Sequence, residues 1–197
     1  MTPTRPAAVK SPRAPRADAQ RNRDIILRVA RETFEAQGVF ASLDGIAQRA
    51  GVGNATLYRN FPTRDDLLAA VIETSNDAAL AEAEELTRRL EPRQALLEWL
   101  VLLTWQLRSW HNLPDCVATA QNDPDSSMNS ACSPLRIQTG VLLDRAKASG
   151  DTLDGVTAVE VFELVTALSW GVDRFHDDQP AARRRVEIAT AGIFQQA

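Results

Sequence analysis

The chain holds little of the chemistry that most enzymes and metal proteins use. Among its 197 residues there are two cysteines, Cys116 and Cys132, and two histidines, His111 and His176. None of the four stands in a C-x-x-C, H-x-x-x-H or finger-type pair, which argues against a disulfide framework or a metal centre. No flanking motif supports either thiol as a nucleophile with a histidine base, so the expectation is a protein that is not an enzyme and carries no cofactor. Nine glycines and no sustained alternation of apolar and polar residues leave almost nothing for β-strands. The longest apolar stretch, Leu96 to Trp105, is interrupted by Glu98 and is about half the roughly 20 residues a bilayer requires. The basic opening is followed by no apolar run of the kind a signal peptide needs. A soluble, cytoplasmic protein without a membrane partner is expected.

What the chain does hold is helix-forming. Hydrophobic residues make up 44%, enough for a real core, and Ala, Leu, Arg and Glu recur at helical spacing. The fold class read from this is all-α. The net charge of -4 conceals two different parts. Residues 1–64 hold eleven basic side chains against five acidic ones, whereas residues 65–197 hold eleven against twenty-one. A basic unit on an acidic remainder is what a polyanion-binding head on a non-binding body requires.

Residues 1–17, with Pro3, Pro6, Pro12 and Pro15 among Arg5, Lys10, Arg13 and Arg16, show no apolar period and read as a disordered basic arm. Asp18 is an N-cap candidate for a first helix with Ile26, Val29, Ala30 and Phe34 on one face, stopping at Gly38. Ser42 caps a short helix with Ile46, Ala47 and Ala50 inward, ended by Gly51; Asn54 is expected to cap a second, with Leu57 and Phe61 inward, ended by Pro62. Two short helices joined by Gly51-Val52-Gly53 form a helix-turn-helix candidate over residues 18–64. Thr63 then caps a long helix leading into a helical bundle over residues 65–197, with prolines 92, 114, 134 and 180 at helix starts. Residues 121–132 read as a polar loop, Ser133 as the cap before Pro134, and Thr157 with Glu160 as a capping box.

Helix-turn-helix recognition needs a braced first helix, a tight turn and a second helix whose exposed residues reach base edges in the major groove. Leu57 and Ile46 close the small core, which leaves a polar face on the second helix. Ser42, Thr56, Tyr58 and Arg64 are expected on the DNA backbone and Asn54, Ala55 and Arg59 on the groove floor, with the role of Asn60 open. The near-match Gly51-Val52-Gly53-Asn54-Ala55-Thr56 to a dinucleotide fingerprint lacks the third small residue and a preceding strand, and is set aside.

The run Ile25-Ile26-Leu27-Arg28-Val29-Ala30 through Phe34 and Gly38, continuing Ser42-Leu43-Asp44-Gly45-Ile46-Ala47-Gln48-Arg49-Ala50-Gly51-Val52-Gly53-Asn54-Ala55-Thr56-Leu57-Tyr58-Arg59-Asn60-Phe61-Pro62 to Leu68, resembles the N-terminal DNA-binding domain of TetR-family transcriptional regulators. Asn60 departs from the resemblance, since relatives often carry His or Tyr there. The resemblance implies a homodimer, in most members a repressor, with two heads on a palindromic operator and a C-terminal domain that binds a small effector. Ser130-Ala131-Cys132-Ser133, Leu142 to Ala146 and Ser169-Trp170-Gly171 are similar to the C-terminal part of an actinobacterial branch of the family. That similarity implies dimer helices at about 157–174 and 181–195. Val161, Val165, Leu168 and Val172 on one face, and Val186, Ala189 and Ile193 on another, suit either such an interface or an internal core.

All four tryptophans lie outside the head. Trp105, Trp110, Phe162 and Trp170 are candidates for the border of an effector pocket, or for plain core. The reading is a sequence-specific regulator whose partners are double-stranded operator DNA, a second copy of itself and an unknown small molecule, with Arg13, Arg16, Arg21 and Arg23 adding phosphate or minor-groove contacts. The alternative is a small-molecule-binding or thiol-sensing helical protein without an operator.

Overall fold

In the computed structural model, residues 14–121 and 123–195 are described, and their regular structure is nine helices with one isolated bridge between Thr152 and Phe194. The first helix, α1 (Ala14–Gln37), buries Ile26, Val29, Ala30 and Phe34 at the expected three- and four-residue spacing. It begins four residues before Asp18, because Pro15 falls in the first turn, where its missing N–H removes no bond. Residues 14–17 of the expected arm are therefore helical, while residues 1–13, Arg13 included, lie outside the described residues.

The short helices α2 (Leu43–Arg49) and α3 (Asn54–Asn60) follow. Gly51, at φ +68°, closes α2 in a paired motif: its N–H donates to the Gln48 carbonyl and that of Val52 to Ala47, each at 3.1 Å. The long α4 (Arg64–Arg89) opens on a full capping box, in which Thr63 and Asp66 satisfy each other's backbone N–H groups. Then come α5 (Pro92–Leu107), α6 (Leu113–Gln121), α7 (Ser127–Ala148), α8 (Ala158–Arg174) and α9 (Gln179–Thr190).

At the centre of the body is α5, packed by α4, α7, α8 and α9. Its Ala95, Leu96, Trp99, Leu100 and Leu103 are fully buried, and the Trp99 indole N–H donates to Thr139 Oγ1 on α7 at 2.9 Å. This pairing lets the largest core side chain be buried without stranding its donor. Two expectations are corrected in the body, and one open choice is resolved. First, α7 starts six residues before Ser133: Ser126 caps it, accepting from the N–H groups of Met128 and Asn129, and the helix runs through Pro134. Burial of Met128, Ala131, Cys132 and Leu135 along one face outweighs the single bond that the proline removes. Second, the polar loop shrinks accordingly to the residues between Gln121 and Ser127. Third, the choice left open for α8 and α9 is resolved: Val161, Val165, Val172, Val186 and Ile193 are buried within the single chain, Leu168 is half-buried and Ala189 is exposed.

The last helix is tied to the central one by an ion pair. Arg183 Nη1 and Nη2 donate to the two carboxylate oxygens of Glu98 at 2.8 and 2.5 Å, a fork geometry that makes such pairs stronger than single contacts. The Arg183 hydrogen bonds hold the Glu98 carboxyl below its ordinary value, against the opposing effect of burial. A carboxylate whose pKa falls on folding adds stability above its unfolded pKa and loses it as the pH drops through the folded one. Arg183→Met is therefore expected to cost on the order of 1 kcal/mol at neutral pH, discounted for the partly exposed guanidinium. The gap to the wild type should close as the pH falls below about 4, which denaturant unfolding at neutral and acid pH measures.

Candidate nucleic-acid interface

Each helix of the head is positioned by bonds that leave one face of α3 unencumbered. Ser42 caps α2 by accepting from the Gly45 N–H at 3.2 Å, and so its hydroxyl is bound to its own helix while the residue stays exposed. Leu57 and Phe61 are buried under α3. On the opposite face Asn54, Ala55, Tyr58 and Arg59 are exposed, with Tyr58 at 44%. Arg59 Nη2 donates to Thr56 Oγ1 at 3.3 Å along the helix, and the Asn60 amide folds back to donate to the Thr56 carbonyl at 2.8 Å. The face therefore offers a phenol hydroxyl, a free amide, a methyl and a guanidinium within two turns, a set suited to phosphates and base edges.

One expectation about these residues changes, and the bonds of the others come into view. Gly53 and not Asn54 is the N-cap of α3, without a side-chain cap bond; Asn54 is its first residue, and its amide is not used for capping. The Asn60 amide, whose role the sequence leaves open, donates to the carbonyl of Thr56 on its own helix. Arg64, expected on the DNA backbone, is part-buried, and its Nη1 donates to the carbonyls of Val39 at 2.8 Å and Ala41 at 2.6 Å. These bonds clamp the α1–α2 connection to the start of α4. Arg23, expected in the arm's contacts, lies over the Phe61 ring at 4.5 Å, and Arg21 pairs with Asp18 at 3.7 Å.

The head is fastened to the body at two places that sequence reasoning did not find. At the first, Gly38 follows α1 at φ +79° with the segment after α5 pressed on it; a Cβ there would meet the His111 carbonyl oxygen at 3.1 Å. The Val39 N–H donates to that carbonyl, also at 3.1 Å, and His111 Nδ1 lies 2.9 Å from Asp173 on α8. Beside it Trp110 packs on Phe34 with ring centroids 6.0 Å apart. At the second, the Ser127 hydroxyl donates to Asp66 Oδ1 at 2.6 Å, so the carboxylate that caps α4 is shared with α7. The Ser127 and Thr63 hydrogen bonds hold the Asp66 carboxyl below its usual range. Thr63-x-x-Asp66 is visible in the sequence as a cap; its second partner, 61 residues away, has no local signal.

The four aromatic pocket candidates do not come together. Trp105 faces a groove beside Glu98 and Arg183, under the Arg108 guanidinium at 3.5 Å. Trp110 borders a cleft between α1 and the body. Trp170 borders a groove between α6 and α8, and Phe162 is fully buried core. Burial pushes the Cys132 thiol up to about 11, and burial with Asp65 and Asp115 raises that of Cys116. Both are thus held as thiols, the reverse of what a nucleophile or redox sensor requires. Among the described residues no cluster of three or more His, Cys, Asp or Glu could hold a metal ion, and no helix is long and apolar enough to cross a membrane.

A helix-turn-helix head with an exposed polar recognition face, on an all-helical body, is the architecture of a DNA-binding regulator. Residues 26–71 match the family model described as bacterial regulatory proteins, tetR family, and residues 91–194 match that of the SbtR-like transcriptional regulator C-terminal domain. The chain belongs to the TetR family. It is 27% identical to a TetR transcriptional regulator from Streptomyces coelicolor, over 89% of this chain and 99% of that one, with a TM-score of 0.58. It is 28% identical to a TetR regulatory protein from Mycobacterium vanbaalenii, over 91% and 99%, with a TM-score of 0.54. An HTH-type transcriptional regulator from Staphylococcus aureus strain USA300 is 35% identical over 72 residues, 36% of this chain and 39% of that relative's length. A Thermus thermophilus FadR, described as a repressor in complex with lauroyl-CoA, shares the fold at 16% identity and a TM-score of 0.63, over 89% and 96%.

The clamp role of Arg64 is separable from the recognition face. Arg64→Met should strand two buried carbonyls and destabilise the head by about 1–3 kcal/mol, with the fastest rise in amide exchange over residues 38–43. Tyr58→Phe, on the exposed face, should leave thermal unfolding within about 0.5 kcal/mol of the wild type.

Proposed function

We propose that the protein is a sequence-specific transcriptional regulator that acts as a dimeric repressor, released from a palindromic operator by a small molecule. The observation that carries this reading is the exposed polar face of α3, which presents Asn54, Tyr58 and Arg59 over the buried Leu57 and Phe61. In the proposed complex Tyr58, Thr56 and Ser42 meet phosphates, and Asn54, Ala55 and Arg59 meet base edges in the major groove. The thiol-sensing alternative is disfavoured by the raised pKa of both cysteines. That its FadR neighbour carries lauroyl-CoA supports an effector-binding body but does not supply the effector.

The dimer we propose pairs the exposed stripes of α8 and α9. With Val161, Val165, Val172 and Val186 committed to the core, the outward residues include Val159, Glu163, Ala167 and Trp170 on α8 and Ala181, Arg184, Ile188 and Ala189 on α9. Trp170 is 48% and Ile188 61% exposed, more apolar surface than a solitary helix pair gains from showing to water. Ile188→Arg is expected to convert the dimer to monomers in sedimentation and to lose cooperative binding to a two-half-site duplex. Selection from genomic DNA should enrich a two-fold symmetric site. On that site Tyr58→Phe should weaken every sequence about equally, whereas Asn54→Ala should change the preferred bases, worth about 1–3 kcal/mol at one position of each half-site. Enrichment of no symmetric site would sink the reading.

A further inference from the structure

We infer that the Thr56 hydroxyl is a positioning group of the recognition face: it accepts from Arg59, donates to a DNA phosphate, and so aims the Arg59 guanidinium at a guanine in each half-site. This choice of base rests on the regulator reading above and deepens it at the same site.

Arg59 is the penultimate residue of α3 and is exposed, with no following turn of that helix to lean on. One turn back its neighbours are Ala55, which offers only a methyl, and Thr56, whose Oγ1 accepts from Arg59 Nη2 at 3.3 Å. Other arginines of the head are held differently. Arg21, Arg28, Arg31 and Arg49 face carboxylates, and Arg64 donates to the carbonyls of Val39 and Ala41. Arg59 is braced by a neutral hydroxyl instead, which orients the guanidinium without neutralising it.

Thr56 is distinctive in a matching way. Thr33, Thr104, Thr139 and Thr166 each donate the hydroxyl proton to the carbonyl four residues back. For Thr56 that residue is Val52, which lies ahead of the N-cap Gly53 and outside the helix. Among the described residues its hydroxyl accepts from Arg59 and donates to no group. The Asn60 amide holds the Thr56 carbonyl at 2.8 Å, fixing the backbone from which the half-buried hydroxyl projects. A hydroxyl can accept and donate at once, so Thr56 can hold Arg59 and a phosphate together, and each bond polarises the other.

The remaining donors select the base. A guanidinium is a planar fork of donors, and spending one Nη2 hydrogen on Thr56 leaves a parallel N–H pair. In the major groove guanine presents adjacent acceptors at N7 and O6, whereas adenine sets a donor beside its N7 and cytosine offers a donor. An arginine free to swing would meet a phosphate as readily as guanine. With the brace itself seated on the phosphate, the fork is left for the base, and less ordering remains to be done on binding.

The test uses the full chain and the symmetric site obtained by selection, with affinities measured by competition for each base-pair change made in both half-sites. One guanine per half-site is expected whose change to adenine costs about tenfold or more. At that position 7-deazaguanine, which lacks the N7 acceptor, should cost several-fold with wild-type protein. Arg59→Ala should erase the preference at that pair and at no other. Thr56→Val, equal in shape but without the hydroxyl, should weaken all sites and also reduce the guanine preference several-fold; Thr56→Ser should restore it. In an Arg59→Ala background Thr56→Val should leave base preference unchanged. Thr56→Ala repeats the comparison should Thr56→Val fail to fold. Full guanine preference without the hydroxyl overturns the inference, as does an Arg59→Ala protein that weakens every sequence equally, which would put the guanidinium on a phosphate. Absence of any specific site for the wild type sinks the regulator reading and this inference with it, whereas a specific site without such a guanine sinks this inference alone.

Discussion

The contact on which the rest depends is the seam where the chain leaves α1. Gly38 can take its left-handed φ of +79° and lie against the His111 carbonyl because it has no Cβ, and the Val39 N–H is then satisfied by that same carbonyl. Helices of seven residues, such as α2 and α3, are far below the length at which a helix is stable alone. They persist because α1 and α4 hold them, and those two are in turn held by the body through Trp110 on Phe34 and Ser127 on Asp66. The recognition face is therefore as rigid as a seam built from one close backbone approach, one aromatic contact and one shared carboxylate.

That arrangement explains which polar groups are free. Arg64 is spent on the carbonyls of Val39 and Ala41, Arg49 on Thr33 and Glu32, and Ser42 on its own helix. Each bond fixes a loop or a helix end. Asn54, Tyr58 and Arg59 remain, all on one side of α3. The acidic body acts at longer range, since an excess of ten negative charges over residues 65–197 disfavours a polyanion there relative to the basic head.

Local signals made much of this legible. Capping residues, turn glycines and a three-four apolar period located α1 to α5 closely, because each is decided within one or two turns of the residues concerned. Where a rule of local preference met tertiary packing, packing won. Pro134 marks a helix start by its own chemistry, yet it sits inside α7, because four buried side chains on that helix are worth more than one backbone bond. The valines of α8 and α9 fit an interface as well as a core; only the positions of the other helices decide between them. The site divides the same way. The exposed face of α3 follows from its period, whereas the capture of Arg64 by Val39 and Ala41 depends on residues 23 and 25 positions away. The scattering of Trp105, Trp110 and Trp170 over three grooves is likewise beyond any spacing argument.

The two fastenings of the head differ in kind, and that difference matters for how a signal could pass. Ser127 to Asp66 is a short bond to a carboxylate already engaged by Thr63, so breaking it leaves the α4 cap in place and costs little beyond one bond. The His111 side combines a backbone bond, a glycine with no room to spare and a buried indole, so it moves as a block or not at all.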